Sequence, residues 1–318
     1  MGAELLVRGA SQLAIRMGIS PLVVGLTIVA FGTSAPELVV SLGASLKGEA
    51  DVAIGNVVGS NICNILLILG LSATIVALPV SAQLLRFDLP IMILVSGLVW
   101  ALCLDKSLSR MEGVGLACGI VIYTIWNVMA SRSKTKREAA ALEAQAIADG
   151  ETVEEVVHGG WSGVVLNSVL VGLGLVLLAI GANWFIDSAI RFALELGVSQ
   201  LVIGLTLVAV GTSLPEVFTS VVAAIRGEQD IAVGNVIGSN IFNILCVLGV
   251  SSAASSTGIN VSGEALARDF PWMFVVALCC VPIFWTGHRI SRREGLLFLI
   301  GYIVYTVYLV YSSPTVAG

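Results

Sequence analysis

Apolar residues in this chain come in long runs separated by short charged breaks. The runs fall at about 20–45, 52–78, 85–104, 109–130, 162–190, 199–224, 231–254, 269–286 and 292–312. Each is apolar on all sides and long enough to cross a ~30 Å hydrocarbon core as a helix, which takes roughly 18 residues or more. A transmembrane β-barrel would instead alternate apolar and polar residues over about 10-residue segments. The pattern therefore predicts an all-α polytopic membrane protein. A shorter apolar segment, 2–16, precedes the first full run.

Composition agrees: 57% of residues are hydrophobic, 12% are charged, and mean hydropathy is +0.99. Soluble domains carry about 25% charged residues. The net charge of −5 comes largely from the polar loop after Ser131 and has no functional message of its own. Scattered basic residues leave no nucleic-acid footprint. Cys63, Cys103, Cys118, Cys246, Cys279 and Cys280 lie in or at the edge of apolar runs without metal-site spacing, and read as reduced packing residues.

Sliding the chain against itself by 179 residues aligns Gly18–Ser72 with Gly197–Ser251, with 33 identities in 55 positions and no gap. "GISPLVVGLTIVAFGTSAPE" faces "GVSQLVIGLTLVAVGTSLPE", and "GEADVAIGNVVGSNICNILLILG" faces "GEQDIAVGNVIGSNIFNILCVLG". Such self-similarity has to be settled before any other feature is read. Five spans separate equivalent points, an odd number, so the second copy enters the membrane from the opposite side. The repeat is inverted, and inverted repeats with interrupted helices at matching positions point to a secondary transporter whose site lies near the midplane.

The domain plan is a first transmembrane repeat over 1–130, a linker over 131–160 and a second, inverted repeat over 161–318. In the linker, Thr135 and Glu138 read as a capping box opening a short surface helix, with Gly150 as its stop. Alternating loops put ten Lys/Arg on the face bearing the linker and six on the other. The positive-inside rule makes the linker face cytoplasmic. The apolar "VVLNSVLVGLGLVLLAI" before Gly181 has no counterpart before Gly2. Either the chain starts upstream, giving ten spans with both ends outside, or the first span is a half-span; the first alternative is the expectation, and the first helix is read as truncated.

Of 21 acidic residues, only Glu37 and Glu216 lie deep within membrane runs. A charge at the bilayer centre costs at least ~2.5–3.5 kcal/mol on insertion scales, so such residues usually mark ion or proton paths. Pairing with a buried base would be a structural explanation, but no Lys, Arg or His lies at matching depth. Each acid follows a proline. Pro36 and Pro215 lack the N–H that would bond to the carbonyls of Gly32 and Gly211, freeing those oxygens and their neighbours at Thr33 and Thr212. Such backbone is tolerated at membrane depth only where protein or a cavity satisfies it.

Ala30, Thr33, Ser34 and Glu37 stand at i, i+3, i+4 and i+7, as do Ala209, Thr212, Ser213 and Glu216: one helix face in each half. Hydroxyl, carbonyl and carboxylate oxygens are hard ligands of the kind Ca²⁺, Mg²⁺ and Na⁺ take. Thiolate and imidazole, which suit softer metals, are missing from that face. The next span adds Ser60 with Asn64, and Ser239 with Asn243. Asn56, Asn61, Asn235 and Asn240 divide evenly between helix-end hydrogen bonding and site lining. Gly55 with Gly59, and Gly234 with Gly238, are GxxxG pairs that read as close helix packing. Two ionised carboxylates are neutralised by one Ca²⁺, two Na⁺ or two protons, so competition for the same acids couples the ions.

"GTSAPE" with "GNVVGSNICN", and "GTSLPE" with "GNVIGSNIFN", resemble the two α-repeats of the sodium/calcium exchanger family within the cation/Ca²⁺ antiporter superfamily. The resemblance covers nearly the whole chain and implies two inverted five-helix units with broken helices at the midplane. It implies a central Ca²⁺ on Glu37 and Glu216, helped by the Thr33 and Thr212 carbonyls. It implies sodium ligands among Ser34, Ser213, Ala30, Ala209, Ser60, Ser239, Asn64 and Asn243. Potassium-dependent exchangers carry Asp where this chain has Asn243, which speaks against K⁺ dependence. The H⁺/Ca²⁺ branch resembles a pattern with an acid in the "GN" helix, where this chain has Gly59 and Gly238.

The expectation is a compact prokaryotic-type antiporter of the plasma (inner) membrane that exchanges Ca²⁺ for Na⁺ by alternating access. It is a transporter and no enzyme, with no cofactor, no nucleic acid and no obligate protein partner. The alternatives are a Ca²⁺/H⁺ antiporter or Na⁺-coupled exchange of another divalent cation. An intramembrane aspartyl-type protease would use Asp and would not need the hydroxyl and amide stripe. A channel would pass current without a counter-ion, and a scaffold would have no reason to keep the stripe in both halves.

Overall fold

The computed structural model describes residues 1–148, 161–195 and 209–312. The apolar runs fold as helices because backbone polar groups inside a bilayer must be satisfied within their own segment. In chain order these are α1 (Gly2–Met17), α2 (Pro21–Thr33), α3 (Ala35–Lys47), α4 (Ala50–Ile75), α5 (Leu84–Asp105), α6 (Arg110–Ala148) and α7 (Trp161–Glu195). They continue with α8 (Ala209–Gly211), α9 (Leu214–Ile225), α10 (Gln229–Ala254), α11 (Ala265–His288) and α12 (Arg292–Ser312). Among the described residues, α4, α5, α6, α7, α10 and α11 are each long and apolar enough to cross a membrane, and α2 with α3 forms a further span bent by 47°. The run expected at 199–224 lies partly outside the described residues; α8 and α9 are its described part.

The two halves interlock around α4 and α10. The apolar window of α10 is entirely buried and that of α4 is 72% buried, against 22% for α7. Side chains of α7 such as Trp184 and Val176 therefore face outward, where lipid lies. Close approach of α10 to α2 depends on glycine: a Cβ on Gly234 would sit 2.7 Å from the Leu22 carbonyl oxygen, and one on Gly238 2.6 Å from that of Leu26. This bears out the packing reading of that GxxxG pair. Gly55 and Gly59 meet no such neighbour among the described residues, and the stretch equivalent to α2, 200–208, lies outside them.

Four two-residue strands, invisible in the hydrophobic pattern, tie the repeats together outside the helices. β1 (Leu78–Pro79) pairs antiparallel with β4 (Arg289–Ile290), and β2 (Ser107–Leu108) with β3 (Ile259–Asn260). Each ladder joins a loop of the first repeat to a loop of the second.

The structure corrects two expectations. No helix starts at Thr135: α6 runs unbroken from Arg110 to Ala148, and the Thr135 hydroxyl donates to the Ser131 carbonyl at 3.1 Å instead of capping. Nothing between 130 and 148 breaks a helix, so the membrane helix continues past the bilayer edge; 39 residues at 1.5 Å each span about 58 Å, nearly twice the ~30 Å core. Gly150, its expected stop, lies outside the described residues. Cys118 and Cys279 are exposed, whereas Cys63, Cys103, Cys246 and Cys280 are buried, and all six are free thiols.

Candidate ion-binding site

The break between α2 and α3 is centred on Ser34, where φ −82° and ψ 6° leave the helical region. Pro36 stands in the first turn of α3, where its missing N–H is no loss. The second half repeats this: Ser213 has φ −87° and ψ 4°, and Pro215 opens α9. The interruption thus lies two residues ahead of each proline, and each glutamate sits in the first turn of the half-helix that follows. A helix N-terminus favours a carboxylate there.

Glu37 and Glu216 are both fully buried, and neither has an ion-pair partner among the described residues. Their hydrogen bonds cross between the repeats. The Ser34 hydroxyl donates to Glu216 Oε1 at 3.1 Å, and the Ser213 hydroxyl donates to Glu37 Oε1 at 3.0 Å. Two neighbouring pairs repeat the pattern: Thr33 donates to Asn235 Oδ1 at 3.1 Å, and Thr212 donates to Asn56 Oδ1 at 3.3 Å. The same asparagines are anchored within their own half, Asn56 Nδ2 to Ser41 Oγ at 2.8 Å and Asn235 Nδ2 to Ser220 Oγ at 2.9 Å. The Ser213–Ser60 contact at 3.2 Å brings α4 to the same cluster. Glu37 Oε2 and Glu216 Oε2 have no hydrogen-bond partner among the described residues.

The structure thus gathers Glu37, Ser213 and Ser60 in one hydrogen-bonded group and Glu216 with Ser34 in another, with Thr33 and Thr212 next to the serines in the chain. Ala30 lies in the last turn of α2, where its carbonyl accepts from the Ser34 N–H at 3.0 Å and from the Thr33 hydroxyl at 3.4 Å. Ala209 is described as backbone of α8 only. Asn64, Asn243 and Ser239 are buried on α4 and α10 and make no hydrogen bond to either carboxylate. Both amide atoms of Asn64, Asn243 Oδ1 and Ser239 Oγ have no partner. At Asn64 and Asn243 the helix widens into π-turns, Asn64–Leu69 and Asn243–Leu248, a device frequent at functional sites. Of the four asparagines left undecided, Asn56 and Asn235 brace the threonines, while Asn61 and Asn240 lie between α4 and α10.

Chemically, the cluster supplies two carboxylates surrounded by neutral oxygens, suited to a hard cation. Among the described residues no three His, Cys, Asp or Glu side chains come together, so no softer-metal site competes. A third fully buried acid, Asp88, escaped the sequence reading because it lies four residues into its run and looked like an end residue. It accepts from the Tyr123 hydroxyl at 2.9 Å, Asn127 Nδ2 at 3.4 Å and Gln83 Nε2 at 3.5 Å, none of which bonds to Glu37 or Glu216.

Comparison with known proteins meets this geometry. The sequence model of the family described as "Sodium/calcium exchanger protein" matches residues 1–129 and 166–311. The chain is 37% identical over 313 residues to the "Inner membrane protein YrbG" of Escherichia coli (strain K12), covering 98% of this chain and 93% of that protein. It is 38% identical over 314 residues to the "Putative antiporter CaxA" of Alkalimonas amylolytica, covering 98% and 94%. Among solved structures, the sodium-calcium exchanger NCX_Mj soaked with zero Na⁺ and Ca²⁺ superposes with a TM-score of 0.78 at 32% identity, over 97% of this chain and 94% of that one.

Proposed function

Because the chain belongs to the sodium/calcium exchanger protein family, and so is a multi-pass membrane antiporter of cations and no enzyme, we propose that it exchanges Ca²⁺ for Na⁺. The carrying observation is the crossed pair: two buried acids without a basic partner, each held by a serine from the opposite repeat. In this reading Ca²⁺ binds between Glu37 and Glu216 with the carbonyls of Thr33 and Thr212. Na⁺ is held by oxygens of Ala30, Ala209, Ser34, Ser213, Ser60, Ser239, Asn64 and Asn243. The unpartnered Glu37 Oε2 and Glu216 Oε2 support it, since a buried carboxylate oxygen without a donor suits a cation.

Exchange follows from charge. One Ca²⁺ or two Na⁺ each neutralise the two acids, so the ions displace one another, and the inverted repeat supplies two related conformations of opposite access. The relative named an inner membrane protein supports the same location here, with the 131–160 linker on the cytoplasmic side by its Lys/Arg excess. Radiolabelled Ca²⁺ uptake into proteoliposomes under imposed gradients tests the coupling. An outward Na⁺ gradient is expected to drive uptake; uptake driven by a pH gradient alone would replace Na⁺ with H⁺ as the counter-ion.

A further inference from the structure

The contacts around the carboxylates divide into two layers. Of the contacts between the halves nearest the acids, the four made by the hydroxyls of Ser34, Ser213, Thr33 and Thr212 to a carboxylate or an asparagine fall into twofold pairs: Ser34–Glu216 with Ser213–Glu37, and Thr33–Asn235 with Thr212–Asn56. Between α4 and α10 the symmetry fails. Asn61 Nδ2 donates to the Asn240 carbonyl at 3.3 Å and lies 3.6 Å from Met273 Sδ, and Asn61 Oδ1 accepts from Asn243 Nδ2 at 3.1 Å. The equivalent residues are Asn240, Met92 and Asn64, with Met92 and Met273 aligned through "FDLPIM" and "RDFPWM". None of the mirror contacts forms. Both amide atoms of Asn240 and both of Asn64 have no partner, although Asn240 and Asn64 are each only 1% exposed. The serine contacts lean the same way, with Ser213 reaching Ser60 while Ser239 reaches nothing.

Asn61 and Asn240 are identical side chains at equivalent positions of an inverted repeat, so one engaged set defines its mirror. A transporter of this plan reverses its access by exchanging the conformations of its two repeats. We propose that Asn61 and Asn240 are paired positioning residues of the transport cycle: Asn61 restrains Asn243 in the present conformation, and Asn240 restrains Asn64 in the reversed one. This rests on the alternating-access reading above and adds the residues that set the balance between the two states. Because the residue types match, the pair weights neither state; the satisfied amide and the unsatisfied one simply change places. Each restrained amide is itself a proposed Na⁺ ligand, so the same step frees the ligand of one half as it ties down that of the other.

The test uses Ca²⁺–Ca²⁺ self-exchange, which needs no Na⁺, in vesicles holding the full chain in one known orientation. Apparent affinity from each face scales with the population open to that face, so the ratio of half-saturating Ca²⁺ concentrations from the two faces reads the balance. Asn61→Leu removes the contacts of one state and is expected to move the ratio on the order of tenfold, the worth of one buried neutral hydrogen bond. Asn240→Leu is expected to move it by a similar factor in the opposite direction, and the double variant to bring it back near the wild-type value. Alanine in place of leucine at each position separates loss of the amide from a change in packing. Shifts in the same direction, or equal changes at both faces, would overturn the proposal, since a merely structural pair has no reason to discriminate sides. Wild-type vesicles without any Ca²⁺ self-exchange would instead reject the function itself.

Discussion

Glu216→Gln puts the ion site to its sharpest test, because the structure keeps shape and charge apart. Glu216 Oε1 accepts from Ser34 at 3.1 Å, and a glutamine carbonyl can accept the same bond. The amide nitrogen then takes the position of Oε2, an atom with no protein partner. Packing and the one hydrogen bond survive, so the melting temperature in detergent should stay within a few degrees of wild type. Binding should not. A unit charge 4 Å from another at an effective dielectric of 20 contributes about 4 kcal/mol, so a divalent ion loses about 8 kcal/mol. The repulsion between Glu37 and Glu216 acts with and without the ion and drops out of the difference, so even if only half of that attraction is realised, about 4 kcal/mol or on the order of a thousandfold in Ca²⁺ affinity is lost. Calorimetric titration of purified protein with Ca²⁺, alongside vesicle uptake, measures it. A folded variant that binds Ca²⁺ within tenfold of wild type would show that the second acid is not a ligand.

Four further substitutions probe the frame. Pro36→Ala restores an N–H able to bond to the Gly32 carbonyl and straighten the 47° bend, so Ca²⁺ half-saturation should rise several-fold; an unchanged value would mean the bend at Ser34 persists without the ring. Gly238→Ala drives a Cβ to 2.6 Å from the Leu26 carbonyl oxygen, an overpacking cost of about 1–3 kcal/mol that thermal melting should register, whereas Gly43→Ala, with open space around it, should be neutral or slightly stabilising. Asp88→Ala strands the Tyr123 hydroxyl and removes one of the acceptors of the Asn127 amide, for about 1–3 kcal/mol of lost stability; Ca²⁺ affinity in the surviving folded fraction should stay close to wild type, and a large loss would make Asp88 part of the ion path.

Spans, inversion and the two lone acids are legible from sequence because the bilayer allows so few solutions: a helix must be long and apolar, and a buried charge must have a reason. Spacing at i, i+3, i+4 and i+7 correctly put Thr33, Ser34 and Glu37 on one face, but a face has no address. That Ser34 reaches Glu216, while Asn235 rather than a carboxylate receives Thr33, follows from how α2 and α9 cross, and no local pattern encodes a crossing. The proline was a true marker of the break yet not its centre, since the ring tolerates the first turn of α3 and the distortion falls on Ser34. Membrane-based reasoning also ended α6 too early, because hydropathy marks where the bilayer stops and says nothing of where a helix does. The two-residue ladders are too short for any periodicity, and Asp88 was misjudged because depth in sequence is a poor guide to burial when Tyr123 and Asn127 of another helix close over it.

The crossed serine–glutamate bonds carry an implication for ancestry. On the proposed reading neither half of the chain holds a complete ion site, since each acid is steadied by a hydroxyl from the other half. On that reading a single copy would complete its site only against a second molecule inserted upside down.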